Sequence, residues 1–155
     1  QIESEDFVEW MLTMLEETGM GTEGVKLEIT ESVIMREMDV IVPKLRKLSA
    51  RGIAIGIDDF GTGYSSLSYL RRFAADALKI DISFVREMLD NHHDRAIVQT
   101  IIAMANTLDM KTLAEGVESA AQAALLAEMG CNQAQGYFFG KPLPADRFAH
   151  TWLSR

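Results

Sequence analysis

The chain has 155 residues, of which 48% are hydrophobic and 25% are charged. This length and composition are typical of one globular domain with a hydrophobic core, and they exclude a disordered segment. The net charge of −8 argues against binding to a nucleic acid polymer or an anionic membrane surface. It leaves room for an anionic ligand, because cations held by carboxylates reverse the local charge.

The cysteine count and the hydropathy pattern favour a cytoplasmic segment. Cys131 is the single cysteine, which rules out an internal disulfide and fits a reducing compartment. The most apolar helix, residues 96–108, is interrupted by Gln99 and Asn106, so we expect no direct membrane insertion. The chain begins at Gln1 without a methionine, and we therefore expect a fragment of a longer protein, whose other domains could hold a membrane tether.

Strand and helix patterns alternate along the chain. In order, we predict helix 4–17, strand 25–30, helix 39–50 with Asp39 as N-cap, strand 53–58, a short helix 67–72, strand 77–81, helix 93–108, strand 111–114, helix 120–129, strand 131–135 and helix 145–153. Strands separated by helices at this spacing are typical of βαβ units in a parallel sheet. The fold class is therefore α/β.

Polar side chains occur at or near the carboxyl ends of five successive strands. They are Glu28, Asp58, Lys79, Glu115 and Gln135. Each alone is also explained as a surface or helix-capping residue. The carboxyl ends of parallel strands meet at one rim, where active sites form, and five coincidences favour a shared site.

The residue types at this rim indicate a hard cation. Carboxylates with an amide and no Cys–His cluster favour Mg²⁺ or Mn²⁺ over zinc. The adjacent Asp58 and Asp59 suit two ions that act on a phosphate ester, and Lys79 could orient a water or neutralise charge on phosphate. We interpret His92 and His93 as surface or capping residues.

Five motifs, in order and spacing, resemble one known family. They are Leu27-Glu28-Ile29-Thr30-Glu31-Ser32, Asp58-Asp59-Phe60-Gly61-Thr62-Gly63, Lys79-Ile80-Asp81, Glu115-Gly116-Val117-Glu118 and Gln135-Gly136-Tyr137. Together they look like the EAL-domain cyclic di-GMP phosphodiesterases over essentially the whole chain. The resemblance implies a TIM-like (β/α) barrel that hydrolyses cyclic di-GMP to linear pGpG at the carboxyl ends of its strands.

The resemblance also implies roles for individual residues. By this similarity Glu28, Asp58, Asp59 and Glu115 are expected to be ligands of two metal ions, and Lys79 is expected to position the attacking water. Glu115 and Gln135 complete the metal and water shell.

Other residues are implied to support this site. Glu31 matches a glutamate that steadies the loop containing Gly61, Thr62 and Gly63, which in the family connects the site to a homodimer interface. Glu118 is expected beside the ligands.

The chain departs from the family pattern at its beginning. The Glu-Ala-Leu motif and a second-strand Asn, both sources of metal ligands, do not occur in it. Residues 1–155 therefore correspond to the C-terminal five to six βα units, an incomplete barrel lacking two strands. Such a sheet cannot close, so we expect an inactive fragment that pairs with a second copy or captures the missing strands.

Two other functions stay open on the sequence. One is a catalytically silent cyclic di-GMP receptor or protein-interaction module on the same fold. The other is a different Mg²⁺-dependent barrel enzyme with Lys79 as base, acting on a carbon acid.

Overall fold

Over the residues that the structure describes, the sheet has five parallel strands that follow one another in space as they do in sequence. The computed structural model describes residues 1–62, 70 and 75–153. The strands are β1 (Lys26–Thr30), β2 (Ala54–Phe60), β3 (Ala77–Ile80), β4 (Lys111–Ala114) and β5 (Gln133–Ala134), in the order β1-β2-β3-β4-β5. All their carboxyl ends therefore lie at one rim of the sheet.

Helices connect these strands. They are α1 (Phe7–Thr18), α2 (Glu31–Arg36), α3 (Met38–Ser49), α4 (Ile82–Glu87), α5 (His92–Thr107), α6 (Ala120–Glu128) and α7 (Ala145–Phe148), with a 3₁₀ turn at Thr22–Gly24 and a π turn at Ala149–Leu153. The α/β class with a parallel sheet is thus confirmed. Within the described ranges the sheet is open, with β1 and β5 at its two edges.

One face of β2 forms the centre of the hydrophobic core. Ile53, just before the strand, and Ile55 and Ile57 within it are all buried, as the alternation of the sequence predicts. The opposite face carries small residues. A Cβ added at Gly56 would lie 2.9 Å from Lys26 Cε and 3.5 Å from Glu28 Cγ. The absence of a side chain at Gly56 therefore gives the charged side chains of β1 their space.

Several predicted boundaries were wrong. Strand β2 continues to Phe60 rather than ending at 58, and α3 begins at Met38, which places Glu37 and not Asp39 at the N-cap. β5 has only two residues. Helices α2 and α4 were not predicted, because six residues directly after a strand are too few to show a helical period.

Two further predictions concern the helix 67–72 and the length and polarity of the helices. The predicted helix 67–72 lies outside the described residues apart from Leu70, which is buried. Over the part of the chain that the structure describes, every helix is too short or too polar to cross a lipid bilayer.

Candidate active site

The five polar residues predicted to share a rim are close together. Glu28, Asp58 and Lys79 lie on β1, β2 and β3, and Glu115 and Gln135 directly follow β4 and β5. Each strand is parallel to its neighbour, so side chains separated by up to 107 positions in sequence become neighbours across the sheet.

Lys79 is at the centre of this arrangement. Its Nζ lies 2.7 Å from Glu28 Oε2, 3.0 Å from Asp58 Oδ1 and 2.7 Å from Glu115 Oε1. The three oxygens match the three N–H donors of an ammonium group. The Lys79 side chain is only 8% exposed. Burial alone would disfavour its charge, but the hydrogen bonds to Glu115, Glu28 and Asp58 raise the pKa of Lys79 well above its usual range.

Glu28 is held in its ionised form by two lysines. Lys26 Nζ lies 3.0 Å from Glu28 Oε1, on the side opposite the Lys79 contact. Partial burial acts to raise the pKa of Glu28, but the hydrogen bonds from Lys79 and Lys26 outweigh it and leave this pKa lowered. Glu28 is therefore an anion at neutral pH.

An unusual backbone conformation brings Asp58 and Asp59 together. Consecutive side chains of a regular strand point to opposite faces, but Asp59 has a left-handed φ of 53°. The β2–β3 register also shifts between Ile57 and Phe60. Partial burial and the nearby charges of Asp58 and Asp81 raise the pKa of Asp59. This irregular strand end concentrates negative charge at the rim.

The carboxylates fit a divalent cation. One oxygen from each of Asp58, Asp59 and Glu115 lies within 4.8 Å of the others, and an all-oxygen donor set suits Mg²⁺ or Mn²⁺. Three carboxylates share the single ammonium of Lys79, which leaves an excess of negative charge for a cation to neutralise. Glu28 lies outside the close group and is joined to it through Lys79.

Gln135 and Glu31 each form a hydrogen bond with another of the predicted residues. Gln135 Nε2 donates to Glu115 Oε1 over 2.7 Å, the same oxygen that contacts Lys79. Glu31 is buried at the start of α2 and its Oε2 accepts a hydrogen bond of 3.1 Å from the Gly61 N–H. Gly61 has a φ of 97°, which favours glycine.

Three further residues were predicted to support the site, namely Thr62, Gly63 and Glu118. Thr62 Oγ1 donates to the Asp59 carbonyl over 2.9 Å and so closes the turn after β2. Gly63 is outside the described residues. Glu118 is exposed, and its backbone N–H donates to Gln122 Oε1 over 2.8 Å.

A cavity of about 700 Å³ opens beside Glu115 and Gln135. Arg86, Tyr137 and Trp152 are among its lining residues, and we did not predict them as site residues. Tyr137 belongs to the quoted Gln-Gly-Tyr motif, so its signal was present. The other two are isolated in sequence and reach the cavity only through the tertiary fold. The volume is in the range of small-ligand pockets.

Comparison with known proteins decides the family. The family model described as "EAL domain" matches residues 1–142. The chain belongs to the EAL domain family. The resemblance seen in the five motifs is thus confirmed.

Relatives of this EAL domain include named phosphodiesterases. The bifunctional diguanylate cyclase/cyclic di-GMP phosphodiesterase MucR of Pseudomonas aeruginosa is 50% identical over 121 residues, which are 78% of this chain and 18% of MucR. The cyclic di-GMP phosphodiesterase NbdA of the same organism is 48% identical over 130 residues, 84% of this chain and 17% of NbdA. The chain therefore spans less than a fifth of these relatives.

Solved EAL structures have the same fold. The P. aeruginosa MucR phosphodiesterase in complex with c-di-GMP superposes with a TM-score of 0.91 at 43% identity, over 95% of this chain and 60% of that one. A manganese/cy-diGMP complex of Klebsiella pneumoniae BlrP1 has a TM-score of 0.82 at 33% identity, over 90% of this chain and 35% of that one.

Proposed function

We propose that this chain contributes the carboxylate cluster of a cyclic di-GMP phosphodiesterase, which hydrolyses the cyclic dinucleotide to linear pGpG. The carboxylate cluster is Glu28, Asp58, Asp59 and Glu115. The observation that carries the proposal is the convergence of three of its members on the buried Lys79, beside a cavity of about 700 Å³. The choice of substrate is supported by MucR and NbdA, two relatives that are named as cyclic di-GMP phosphodiesterases.

The cofactor we propose is a pair of Mg²⁺ or Mn²⁺ ions. Asp58, Asp59 and Glu115 would hold them, with Glu28 as a further ligand, and the manganese in the BlrP1 complex supports this choice. When bound, such cations neutralise charge on the phosphate and lower the pKa of a water. In the hydrolysis, the water oxygen forms a bond to phosphorus and the bond from phosphorus to the ribose 3′ oxygen breaks, which yields a 5′-phosphate and a 3′-hydroxyl.

Lys79 and Gln135 position the carboxylates, and Lys79 also supplies positive charge near the phosphate. Lys79 orients the carboxylates around it, and its positive charge is available to the phosphate. Its three donors are matched by three carboxylate oxygens, so Lys79 has to release one of them before it can donate to a water. Gln135 holds Glu115 through the hydrogen bond to Oε1, which fixes the direction of the other carboxylate oxygen.

We further propose that the chain acts in the cytoplasm as part of a homodimer and has little activity alone. The contact between buried Glu31 and the Gly61 N–H links the turn after β2 to α2, and movement of a dimer interface at this turn would reach Asp59 directly. The open sheet has room for further strands, which would bring the ligands that this chain does not carry.

A chimera tests this function. The chain replaces the matching segment of the MucR phosphodiesterase domain, and hydrolysis of cyclic di-GMP is followed by chromatography with Mn²⁺ or with EDTA. We expect Mn²⁺-dependent formation of pGpG by the chimera and a rate at least 100-fold lower (about 2.7 kcal/mol) for its Glu115→Gln variant and for the chain alone. A chimera that binds cyclic di-GMP without hydrolysing it would instead establish the silent receptor.

A further inference from the structure

Gln122 is a buried polar residue for which the reaction has no direct use. It lies in the first turn of α6 with 6% of its surface exposed. Its Oε1 accepts hydrogen bonds from the N–H groups of Glu118 and Ser119 over 2.8 and 3.0 Å. Its Nε2 donates to the carbonyls of Val85 and Arg86 over 3.2 and 3.4 Å. Both lone pairs and both donors of the amide are thus used.

Only half of this pattern is explained by helix capping. Ser119 Oγ accepts from the Gln122 N–H over 3.2 Å, while Gln122 Oε1 accepts from the Ser119 N–H, which completes a capping box. That function needs an oxygen acceptor, so a glutamate would serve equally well. The two bonds from Nε2 need an amide, and they reach across the fold to the carbonyls of α4.

The two segments joined by Gln122 each lie shortly after one member of the Lys79–Glu115 ion pair. Helix α4 starts three residues after Lys79, and Glu118 ends the four-residue segment that starts at Glu115. The same segment presses against α4 at a second point, since a Cβ on Gly116 would lie 2.1 Å from Ile82 Cγ1. Two contacts with α4 therefore hold the segment in register.

We propose that Gln122 is a positioning residue, whose amide fixes the segment 115–118 against α4 and thereby holds Glu115 beside Lys79. The donor half of the amide has this effect, and the capping half stabilises α6. The predicted consequence for metal binding rests on the proposed function. The consequence for the Lys79–Glu115 pair rests on the fold alone.

Three variants of the chain separate the two halves of the amide. Gln122→Glu retains the acceptor and removes the donor. Gln122→Met is uncharged and removes both. Ser119→Ala is the matched control, because it breaks the capping box from the other side and leaves the Gln122 contacts with α4 in place. Urea unfolding gives the fraction of folded protein for each variant, and all measurements are normalised to it.

The first measurement is the ¹⁵N NMR signal of the Lys79 ammonium group in metal-free protein. We expect it to shift in both Gln122 variants and to stay unchanged in Ser119→Ala. The second is the dissociation constant for Mn²⁺ alone, for which we expect about tenfold weaker binding in the Gln122 variants, at the low end of the effect of removing a group that supports a metal ligand.

The outcomes distinguish the two proposals. Equal shifts of the Lys79 signal in Ser119→Ala and Gln122→Glu, or an unchanged signal in both Gln122 variants, would overturn the positioning role. If the unsubstituted chain and the MucR chimera both fail to bind Mn²⁺, the proposed function fails, and the Lys79 signal still decides the role of Gln122.

Discussion

Replacing Lys79 by methionine should cost much more stability than replacing any exposed lysine of this chain. Methionine has a similar length but cannot neutralise the negative charge of the three carboxylates that lie 2.7–3.0 Å from Lys79 Nζ. Breaking a buried ion pair costs about 3–5 kcal/mol. The carboxylates are 35%, 24% and 19% exposed and retain some hydration, so we expect a loss of about 2 kcal/mol.

Lys26→Met is the matched control for this substitution. Lys26 contacts the same Glu28 at 3.0 Å, but both side chains of that pair are about one-third exposed. Exposed ion pairs contribute about 0–1 kcal/mol. Urea denaturation followed by circular dichroism at pH 7 measures both variants. Equal free energies of unfolding for the two would refute the central position we assign to Lys79.

The effect of Lys79→Met should depend on pH in a defined direction. The folded pKa of Glu28 is below its ordinary value of 4.5, and that of Lys79 is above its ordinary 10.5. Stability from the Glu28 pair is present above pH 4.5 and is lost as pH falls through the lowered folded pKa. Stability from Lys79 is present in full below pH 10.5. The difference between the wild type and Lys79→Met is therefore largest between these values and shrinks in acid.

Three further predictions concern the surroundings of the cluster. Glu31→Ala removes the acceptor of the Gly61 N–H and should lower the free energy of unfolding in urea by about 1–3 kcal/mol. Glu31→Gln retains an acceptor and should lower it less. Equal losses in the two variants would contradict a stabilising hydrogen bond at this position. Gly116→Ala places a Cβ 2.1 Å from Ile82 and should lower the free energy of unfolding by at least about 2 kcal/mol. Gly130→Ala is the control and should cost less, because Gly130 has a φ of +83° but no atom within 4 Å of the added Cβ. The reverse order would show that the segment 115–118 is not closely packed against Ile82. Mn²⁺ at 100 times its dissociation constant should stabilise the chain by about 2.7 kcal/mol in thermal unfolding, and EDTA should remove the gain; an unchanged midpoint would argue against the metal site.

The sequence predicted the rim because the signals for it are local. Each predicted strand has a polar residue at or near its carboxyl end, and a parallel sheet then brings these residues to one edge; they are Glu28, Asp58, Lys79, Glu115 and Gln135. The order of the strands in space equals their order in sequence, so no crossover obscured this edge. The buried face of β2 was predictable for the same reason.

Features created by tertiary contact were not predictable. No pattern in the sequence marks the left-handed φ of Asp59, because non-glycine residues rarely adopt it. From the sequence, Gln122 is explained as an ordinary helix-capping residue. Its contacts with the carbonyls of Val85 and Arg86 are visible only in the structure. Lys79 could equally have pointed into solvent at the end of a short strand. Its burial follows from three partners on three other strands or loops.

The most direct test of a metal centre at the carboxylate cluster is anomalous diffraction at the manganese edge from crystals grown with MnCl₂. We predict an anomalous peak in contact with carboxylate oxygens of Asp58, Asp59 and Glu115, the group whose oxygens lie within 4.8 Å of one another. A fully occupied peak elsewhere, or Lys79 still in contact with all three of its carboxylates at saturating Mn²⁺ with no peak nearby, would contradict it.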